Sequence, residues 1–265
     1  MQKWKSVIHC TLMTLLVCVP CSARQLTRDE LVRALSSADE YERREAIRYI
    51  RTNLPAEQRG SLVEQALAKE LERVNEAVRK RIEADRAGMP LNDAFPEEYY
   101  AELVGLVSQS SNPVVLPPLV GALGTGTIVQ KGIAKFGDEA VPHVVKIARL
   151  KVGLVTTGAP GDVPPHVVSG ALKTLVLLLE QPDKPLTTHS RATIEKVAYE
   201  RLTGRQEGGV VAAACQLAIA TRAPALRRRV EQIAIEANEL EAMGIADAKW
   251  IDFVQSIARK SLEKR

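Results

Sequence analysis

The sequence predicts an all-α fold, a right-handed α-solenoid of stacked antiparallel helix pairs with one long inserted helix. Only 4% of the 265 residues are aromatic, whereas the faces of β-sheets favour aromatic and β-branched side chains. The chain is 46% hydrophobic and 26% charged, which is typical of a folded protein rather than a disordered one. A pattern of small and apolar residues also recurs at intervals of 39 and 43 residues, and such periods indicate a helical repeat architecture.

The first element along the chain is a predicted signal peptide over residues 1–23. It has a basic start, an apolar stretch over residues 7–19 and a small-residue cleavage site at Cys21-Ser22-Ala23. Because a helix needs about 20 apolar residues to cross a bilayer, we expect cleavage after Ala23 and no integral membrane segment afterwards. The expected location is periplasmic or extracellular. An uncleaved N-terminal anchor is the alternative.

Cleavage would leave one cysteine, because three of the four lie in the predicted signal peptide. These three are Cys10, Cys18 and Cys21. No internal disulfide forms in the remaining chain, so its stability depends on its apolar core. Cys215 lies in the apolar run 210–220, where we expect a buried and unreactive thiol. Cleavage also removes Lys3 and Lys5 and no acidic residue, which lowers the net charge from +4 to +2 and gives no indication of a nucleic-acid surface.

Three nine-residue segments share one pattern, with a small residue fifth and apolar residues sixth and ninth. They begin at Ile128, Val167 and Val210. A more polar copy begins at Glu42, and its matching positions are Ala46, Ile47 and Ile50. A proline follows each copy, and proline is tolerated only in the first turn of a helix. The four prolines are Pro55, Pro142, Pro182 and Pro224.

We interpret each copy as the first helix of a pair. The proline then marks the turn or the start of a second helix. The small residue would let a neighbouring helix approach closely, and stacking of the pairs would bury the apolar stripe that each helix carries.

The turn within one of these pairs carries a family resemblance. Residues 132–145 include Gly132, Asp138 and Val141-Pro142, and they resemble the turn of HEAT and HEAT-like repeats, in which glycine, an acidic residue and an apolar-proline pair recur. Asn112-Pro113, followed by residues 116–120, is similar to the start of a second helix in that family. The resemblance covers residues 96–243. It implies an armadillo-type superhelix whose concave surface binds a protein or peptide.

An N-terminal helical region over residues 24–95 precedes the repeats. It holds the degenerate copy at Glu42 and, where another copy would fall near Asp85, a long helical pattern over 56–86. The apolar residues of this pattern recur at intervals of three and four, which gives the helix one buried face. They are Val63, Leu67, Leu71, Val74, Val78 and Ile82. We expect this helix, about 45 Å long, to brace the solenoid, and protrusion toward a partner is the alternative.

Turn-forming residues separate the repeat units, and a last helix follows them. Stretches rich in glycine and proline over 156–165 and 181–185 interrupt the helical patterns. The C-terminal part, 244–265, contains an amphipathic helix over 246–263 that is predicted to cap the last repeat. It carries Trp250 and Phe253, and attachment of these two side chains to a membrane interface is an alternative.

No pattern of residues indicates catalysis, a cofactor or a metal. His143, His166 and His189 are more than 20 residues apart, and no spacing typical of zinc ligands occurs. The glycines of residues 121–126 lack the context of a phosphate-binding loop, so we expect them to end a helix. Ser190 follows His189, but adjacency in sequence does not place an imidazole against a hydroxyl. We therefore predict a protein that is not an enzyme, without catalytic, cofactor-binding or metal-ligating residues.

These observations favour an exported, non-catalytic scaffold or adaptor that binds a protein or peptide partner and no nucleic acid. We expect the binding surface on the concave side, formed by second helices that begin near Pro117, Pro142 and Pro224. The alternative is an enzyme or small-ligand binder. Its pocket would lie between the long helix and the solenoid and hold convergent polar groups.

Overall fold

The computed structural model describes residues 25–89, 97–153 and 162–263. The predicted signal peptide and most of the loop over 156–165 lie outside these ranges. The regular elements within them are helices, and Val152 and Val163 form an isolated parallel bridge. The prediction of an all-α fold is confirmed.

The described ranges contain thirteen α-helices and three short 3-10 helices. The α-helices are α1 (Arg28–Leu35), α2 (Glu40–Asn53), α3 (Gly60–Arg86), α4 (Glu97–Val107), α5 (Leu116–Gly121), α6 (Thr127–Ala134), α7 (Ala140–Ala148), α8 (Pro165–Glu180), α9 (Thr188–Arg201), α10 (Gly208–Thr221), α11 (Pro224–Ile235), α12 (Ala237–Ala242) and α13 (Ala248–Glu263). The 3-10 helices precede α3, α5 and α7, and they are Ala56–Gln58, Pro113–Val115 and Gly137–Glu139.

The fifth and sixth positions of the repeat are buried in all four copies, whose helices are α2, α6, α8 and α10, whereas the ninth position is buried in three copies and half-buried at Phe136. The buried small residues are Ala46, Gly132, Ala171 and Ala214, and the apolar residues that follow them are Ile47, Ile133, Leu172 and Cys215. A Cβ added at Gly132 would come within 2.9 Å of the Ser108 Cβ just beyond the end of α4. The small residue therefore permits close helix approach, as predicted.

Each proline of the repeat lies at a helix boundary. Pro224 is the first residue of α11, and Pro142 lies in the first turn of α7. Pro55 directly precedes the 3-10 turn that leads into α3, and Pro182 follows the end of α8. These positions need no hydrogen bond from the missing backbone N–H. The interpretation of the prolines as boundaries is confirmed.

Consecutive helices pack into two rows. In the first row, α4 contacts α6, α6 contacts α8, α8 contacts α10 and α10 contacts α13. In the second row, α5 contacts α7, α7 contacts α9 and α9 contacts α11. Contacts such as those of α7 with α8 and of α9 with α10 join the rows. One cluster of buried apolar side chains extends from Leu31 in α1 to Ala258 in α13.

The long helix α3 starts later than predicted, because the chain forms a separate 3-10 turn over Ala56–Gln58 before α3 begins at Gly60. Its N-terminal part is buried against α1, α4 and α5. Val78 and Ile82, in contrast, are only half-buried. Near the end of α3, Arg86 Nη1 donates to the carbonyl oxygen of Asp162 at 2.7 Å. The helix thus packs against α1, α4 and α5 along its N-terminal half and contacts the segment before α8 at its end.

Two buried arginines hold the C-terminal ends of other helices. Arg59 donates to the carbonyl oxygen of Leu106 at 2.8 Å, at the end of α4. Arg201 donates to the carbonyl oxygens of Ala148 and Leu150, each at 2.7 Å, at the end of α7. The last carbonyls of a helix lack intrahelical partners and carry partial negative charge. Each guanidinium therefore supplies both hydrogen bonds and a favourable charge, while burial lowers the pKa of both arginines.

Candidate functional site

A groove of about 850 Å³ lies on the first row of helices. Residues of α6, α8 and α10 line it, with Thr127 and Gln130 from α6 and Gln216 from α10. The connection between α8 and α9 adds Gln181, Pro182 and Pro185 to its wall, and α13 adds Ser261. Residues from several helices between Thr127 and Ser261 thus meet around one concave surface.

The groove lining includes five apolar residues, which we call its apolar centre. The apolar residues are Val176, Leu177, Leu179, Ile219 and Ala220. All five are partly exposed. In α8, residues 176–179 are four consecutive apolar residues, and only Leu178 among them is fully buried. Four consecutive positions cover more than half the circumference of a helix, so some of these side chains must face away from the core.

The lining also includes four cationic side chains. They are Lys173, Arg191, Arg222 and Arg227, and Glu180 is the carboxylate in the lining. Arg227 forms an ion pair with Glu231 at 3.2 Å. The other three cations have no ion pair within the described part of the chain. The groove consequently carries an excess of positive charge, although the whole chain has a net charge of only +4.

Arg222 holds an unusual backbone conformation. It ends α10 with φ at 63° and ψ at 16°, in the left-handed region, and among the described residues it alone has a positive φ without being glycine. Glycine is common at this position of a helix end, since a side chain there costs on the order of 1 kcal/mol. The chain instead places a guanidinium there, in the lining of the groove.

The wall of the groove also contains an unused hydrogen-bond acceptor. Gln181 Oε1 is buried and has no hydrogen-bond partner among the described residues. Buried polar atoms of native proteins are normally paired, and leaving one unpaired costs about 1–3 kcal/mol.

The three histidines do not form a common site. His143 lies in α7, whereas His166 and His189 are the second residues of α8 and α9. Within residues 25–89, 97–153 and 162–263, no group of three or more histidine, cysteine or acidic side chains is arranged to hold a metal. His166 packs over Gly124, because a Cβ added at Gly124 would come within 2.7 Å of the His166 Cδ2.

Ser190 belongs to a helix cap. Thr187 is the N-cap of α9, and its side chain accepts a hydrogen bond from the Ser190 backbone N–H. The Asp138 carboxylate accepts from the Thr187 backbone N–H at 2.9 Å and from its hydroxyl. The N–H of Thr187 and the hydroxyl of Ser190 lower the pKa of Asp138. These bonds tie the turn before α7 to the start of α9.

The glycines of residues 121–126 and Cys215 have the structural roles expected from the sequence. Helix α5 ends at Gly121, and Gly124 and Gly126 follow with φ values of 108° and 129°, which residues with a Cβ rarely adopt. Cys215 is fully buried, and burial raises the pKa of its thiol to about 12. The predictions of a helix end and of a buried thiol are confirmed.

The groove lies on a different row of helices from the one that the sequence suggested. The expected surface was on second helices beginning near Pro117, Pro142 and Pro224, and these helices are α5, α7 and α11. The groove is built mainly from α6, α8 and α10 instead. From the second row, it receives Arg191 of α9 and Arg227 of α11. The apolar run over 176–179 was the available signal for it, because such a run cannot be buried completely.

Two smaller clefts lie between α4 and α6. One of about 410 Å³ is lined by residues such as Arg51, Glu102 and Lys131, and one of about 270 Å³ by residues such as Tyr100 and Val129. Helix α3 contributes no lining residue to these clefts or to the groove. A pocket between the long helix and the repeats stays a prediction.

The C-terminal helix packs against the last repeat. α13 contacts α10 and α11, and the rings of Trp250 and Phe253 meet edge to face at 5.5 Å between centroids. Both rings remain about half exposed, at 47% and 46%. Among the described helices, none combines the length and the apolar character that a membrane span requires.

Compared with protein families and with curated proteins, the chain finds no match. Among solved structures, the crystal structure of an engineered protein is similar to it, with 12% sequence identity and a TM-score of 0.40. The alignment covers 91% of this chain and 100% of that protein. A likeness at this level assigns neither a family nor a function.

Proposed function

We propose that this protein is an exported, non-catalytic helical-repeat protein that acts as a protein-interaction scaffold or adaptor. The observation that carries the proposal is the groove on the first row of helices, whose lining combines partly exposed apolar residues with cationic side chains. Interfaces that bind proteins combine a buried apolar core with a polar rim. A groove of about 850 Å³ is large enough for several side chains of a partner.

The proposed architecture is a right-handed solenoid of HEAT-like helix pairs. Three first helices, α6, α8 and α10, carry the repeat pattern, and each packs against the next. The second helices follow them in a parallel series of contacts. Repeat proteins of this kind bury a continuous core between neighbouring units and present an extended concave surface to their partners.

Export is proposed from the predicted signal peptide over 1–23. It is supported by Cys215, whose complete burial in α10 suits a chain that lacks an internal disulfide in an oxidising compartment. N-terminal sequencing of the protein recovered from the cell envelope tests this point. A mature chain that begins at Arg24 supports export with cleavage, and an intact Met1 would overturn it.

Cross-linking in living cells tests the scaffold function. A tagged full-length chain is cross-linked and purified from the envelope fraction, and its partners are identified by mass spectrometry. We expect a reproducible protein partner that is lost from the variant Lys173→Glu/Arg191→Glu. The matched control is Arg228→Glu/Lys249→Glu, which reverses two exposed cations outside the groove lining. Recovery of a bound small molecule and no protein would contradict the proposal.

A further inference from the structure

We infer that the groove binds an acidic segment of a partner protein, one that alternates carboxylates with apolar side chains. This inference rests on the proposed scaffold function and specifies the chemistry of the partner. It is drawn from the charges, the apolar residues and the side-chain amides of the groove lining.

The charge around the groove selects an anionic partner. Lys173 comes from α8, Arg191 from α9 and Arg222 from the end of α10, so three separate elements contribute cations to one concave surface. All three side chains are exposed and without an ion pair among the described residues. A cleft lined by charges of one sign concentrates the field and attracts the opposite charge. Carboxylates of a partner would supply the missing counter-charges.

The apolar centre of the groove favours an anionic peptide over a small inorganic anion as the ligand. A free phosphate or sulfate would contact the cations and leave Leu177 and Ile219 in water. A side chain such as leucine would bury this surface, at about 25 cal/mol for each Å² removed from water. The lining includes no aromatic residue, although single-stranded nucleic acids are usually bound by stacking of bases on aromatic rings. An acidic, amphipathic protein segment is therefore the best match.

The side-chain amides of the groove lining favour a partner that can both donate and accept hydrogen bonds. A peptide backbone carries an N–H at nearly every residue, whereas a phosphate diester carries none. The amides of Gln130 and Gln216 also line the groove, and they supply further donors and acceptors for a peptide backbone.

Fluorescence anisotropy with model peptides tests the inference. Three fluorescein-labelled peptides of 14 residues are titrated with the full-length chain: one of leucine and glutamate in an amphipathic order, one with lysine for every glutamate, and one with serine for every leucine. We expect binding of the first peptide only. Equal binding of the lysine peptide would overturn the role of charge, and equal binding of the serine peptide would overturn the role of the apolar centre.

Variants locate the binding. Because each exposed ion pair is worth roughly 0.2–1 kcal/mol, we expect Lys173→Glu/Arg191→Glu to weaken binding of the acidic peptide about tenfold. Glu180→Gln removes the carboxylate of the lining and should tighten binding, a gain that a folding defect cannot imitate. The control Arg228→Glu/Lys249→Glu should leave the dissociation constant within about twofold. Equal affinity in all four proteins would show that the peptide binds elsewhere.

Two further probes separate this inference from the proposed function. Vesicles of phosphatidylglycerol and a single-stranded oligonucleotide are tested in place of the peptides, and tighter binding of either would overturn the assignment to an acidic protein segment. If cross-linking in cells finds a protein partner that the groove variant still retains, the scaffold function stands and the assignment of the groove fails. If cross-linking finds no protein partner, the scaffold function itself fails.

Discussion

The indole ring of Trp250 in α13 lies directly against Gly208, the first residue of α10. A Cβ at Gly208 would stand 2.7 Å from Cε3 of this ring and 3.1 Å from Cδ2. The absence of a side chain at Gly208 therefore determines how closely the C-terminal helix approaches the last repeat. The neighbouring Gly209 has more space, since a Cβ there would meet only Ser169 Oγ, at 3.9 Å.

We expect Gly208→Ala to lower the free energy of unfolding by about 1–2 kcal/mol, because the added methyl group displaces the indole ring. Gly209→Ala is the matched control and should be neutral or stabilising, since alanine favours the helix. Urea denaturation followed by circular dichroism measures both. In a Trp250→Ala background the cost of Gly208→Ala should disappear, and an unchanged cost there would refute the contact.

Arg201 provides the second prediction. Replacement by methionine keeps much of the apolar stem but leaves the carbonyl oxygens of Ala148 and Leu150 without their donor. We expect Arg201→Met to lower the free energy of unfolding by about 2–4 kcal/mol, given about 1–3 kcal/mol for each unsatisfied buried group. Arg228→Met, at an exposed position of the same charge, should change it by less than about 0.5 kcal/mol. Equal effects of the two substitutions would argue against the helix-end role.

Asp138 makes the stability depend on pH. The backbone N–H of Thr187 lowers the pKa of this carboxyl in the folded state, so the folded state favours its ionised form. The resulting stabilisation is present above the pKa of the unfolded chain, about 3.9, and is lost as the pH falls through the lower pKa of the folded state. We expect Asp138→Asn to lower the thermal midpoint at pH 7 and to have little effect at the acid end of this range. Asp183→Asn is the control at an exposed position in the loop before α9. It should leave the thermal midpoint unchanged at both pH values.

Cys215 should react only when the protein unfolds. Its thiol is fully buried, and burial raises its pKa to about 12, so the thiolate that reacts with iodoacetamide is scarce at pH 8. We expect negligible alkylation of the folded protein and rapid alkylation in 8 M urea, measured by intact mass. Fast labelling of the folded protein would mean that α10 opens readily at this position.

The sequence predicted the fold more completely than the site. Repeated small and apolar residues identified α2, α6, α8 and α10, because burial of one helix face leaves a periodic pattern. Helix α12 has only six residues, too few for such a pattern. Helix α1 was not predicted either, although Thr27 and Glu30 form a capping box at its start and this pair is a signal that sequence analysis could use.

The groove could not be predicted as a site, because its lining extends from Thr127 to Ser261 and depends on how helices face one another. Periodicity shows which face of a helix is buried and not which neighbour it meets. The expectation of a binding surface on the second helices came from family resemblance alone. The cationic part of the lining could not be predicted either. Lys173, Arg191 and Arg222 are far apart in sequence and come together only through helix packing.

At Arg222, selection for backbone stability and selection for a cation in the groove would favour different residues. Substitution to glycine would relieve the backbone, and drift toward greater robustness would favour it if the position had no other task. The same change would remove a cation from the groove. If the groove binds a partner as proposed, a lineage that needs this partner is held at a costlier residue, and a lineage that has lost it can gain stability by a single substitution. The residue found at this position would then record whether the groove is still in use.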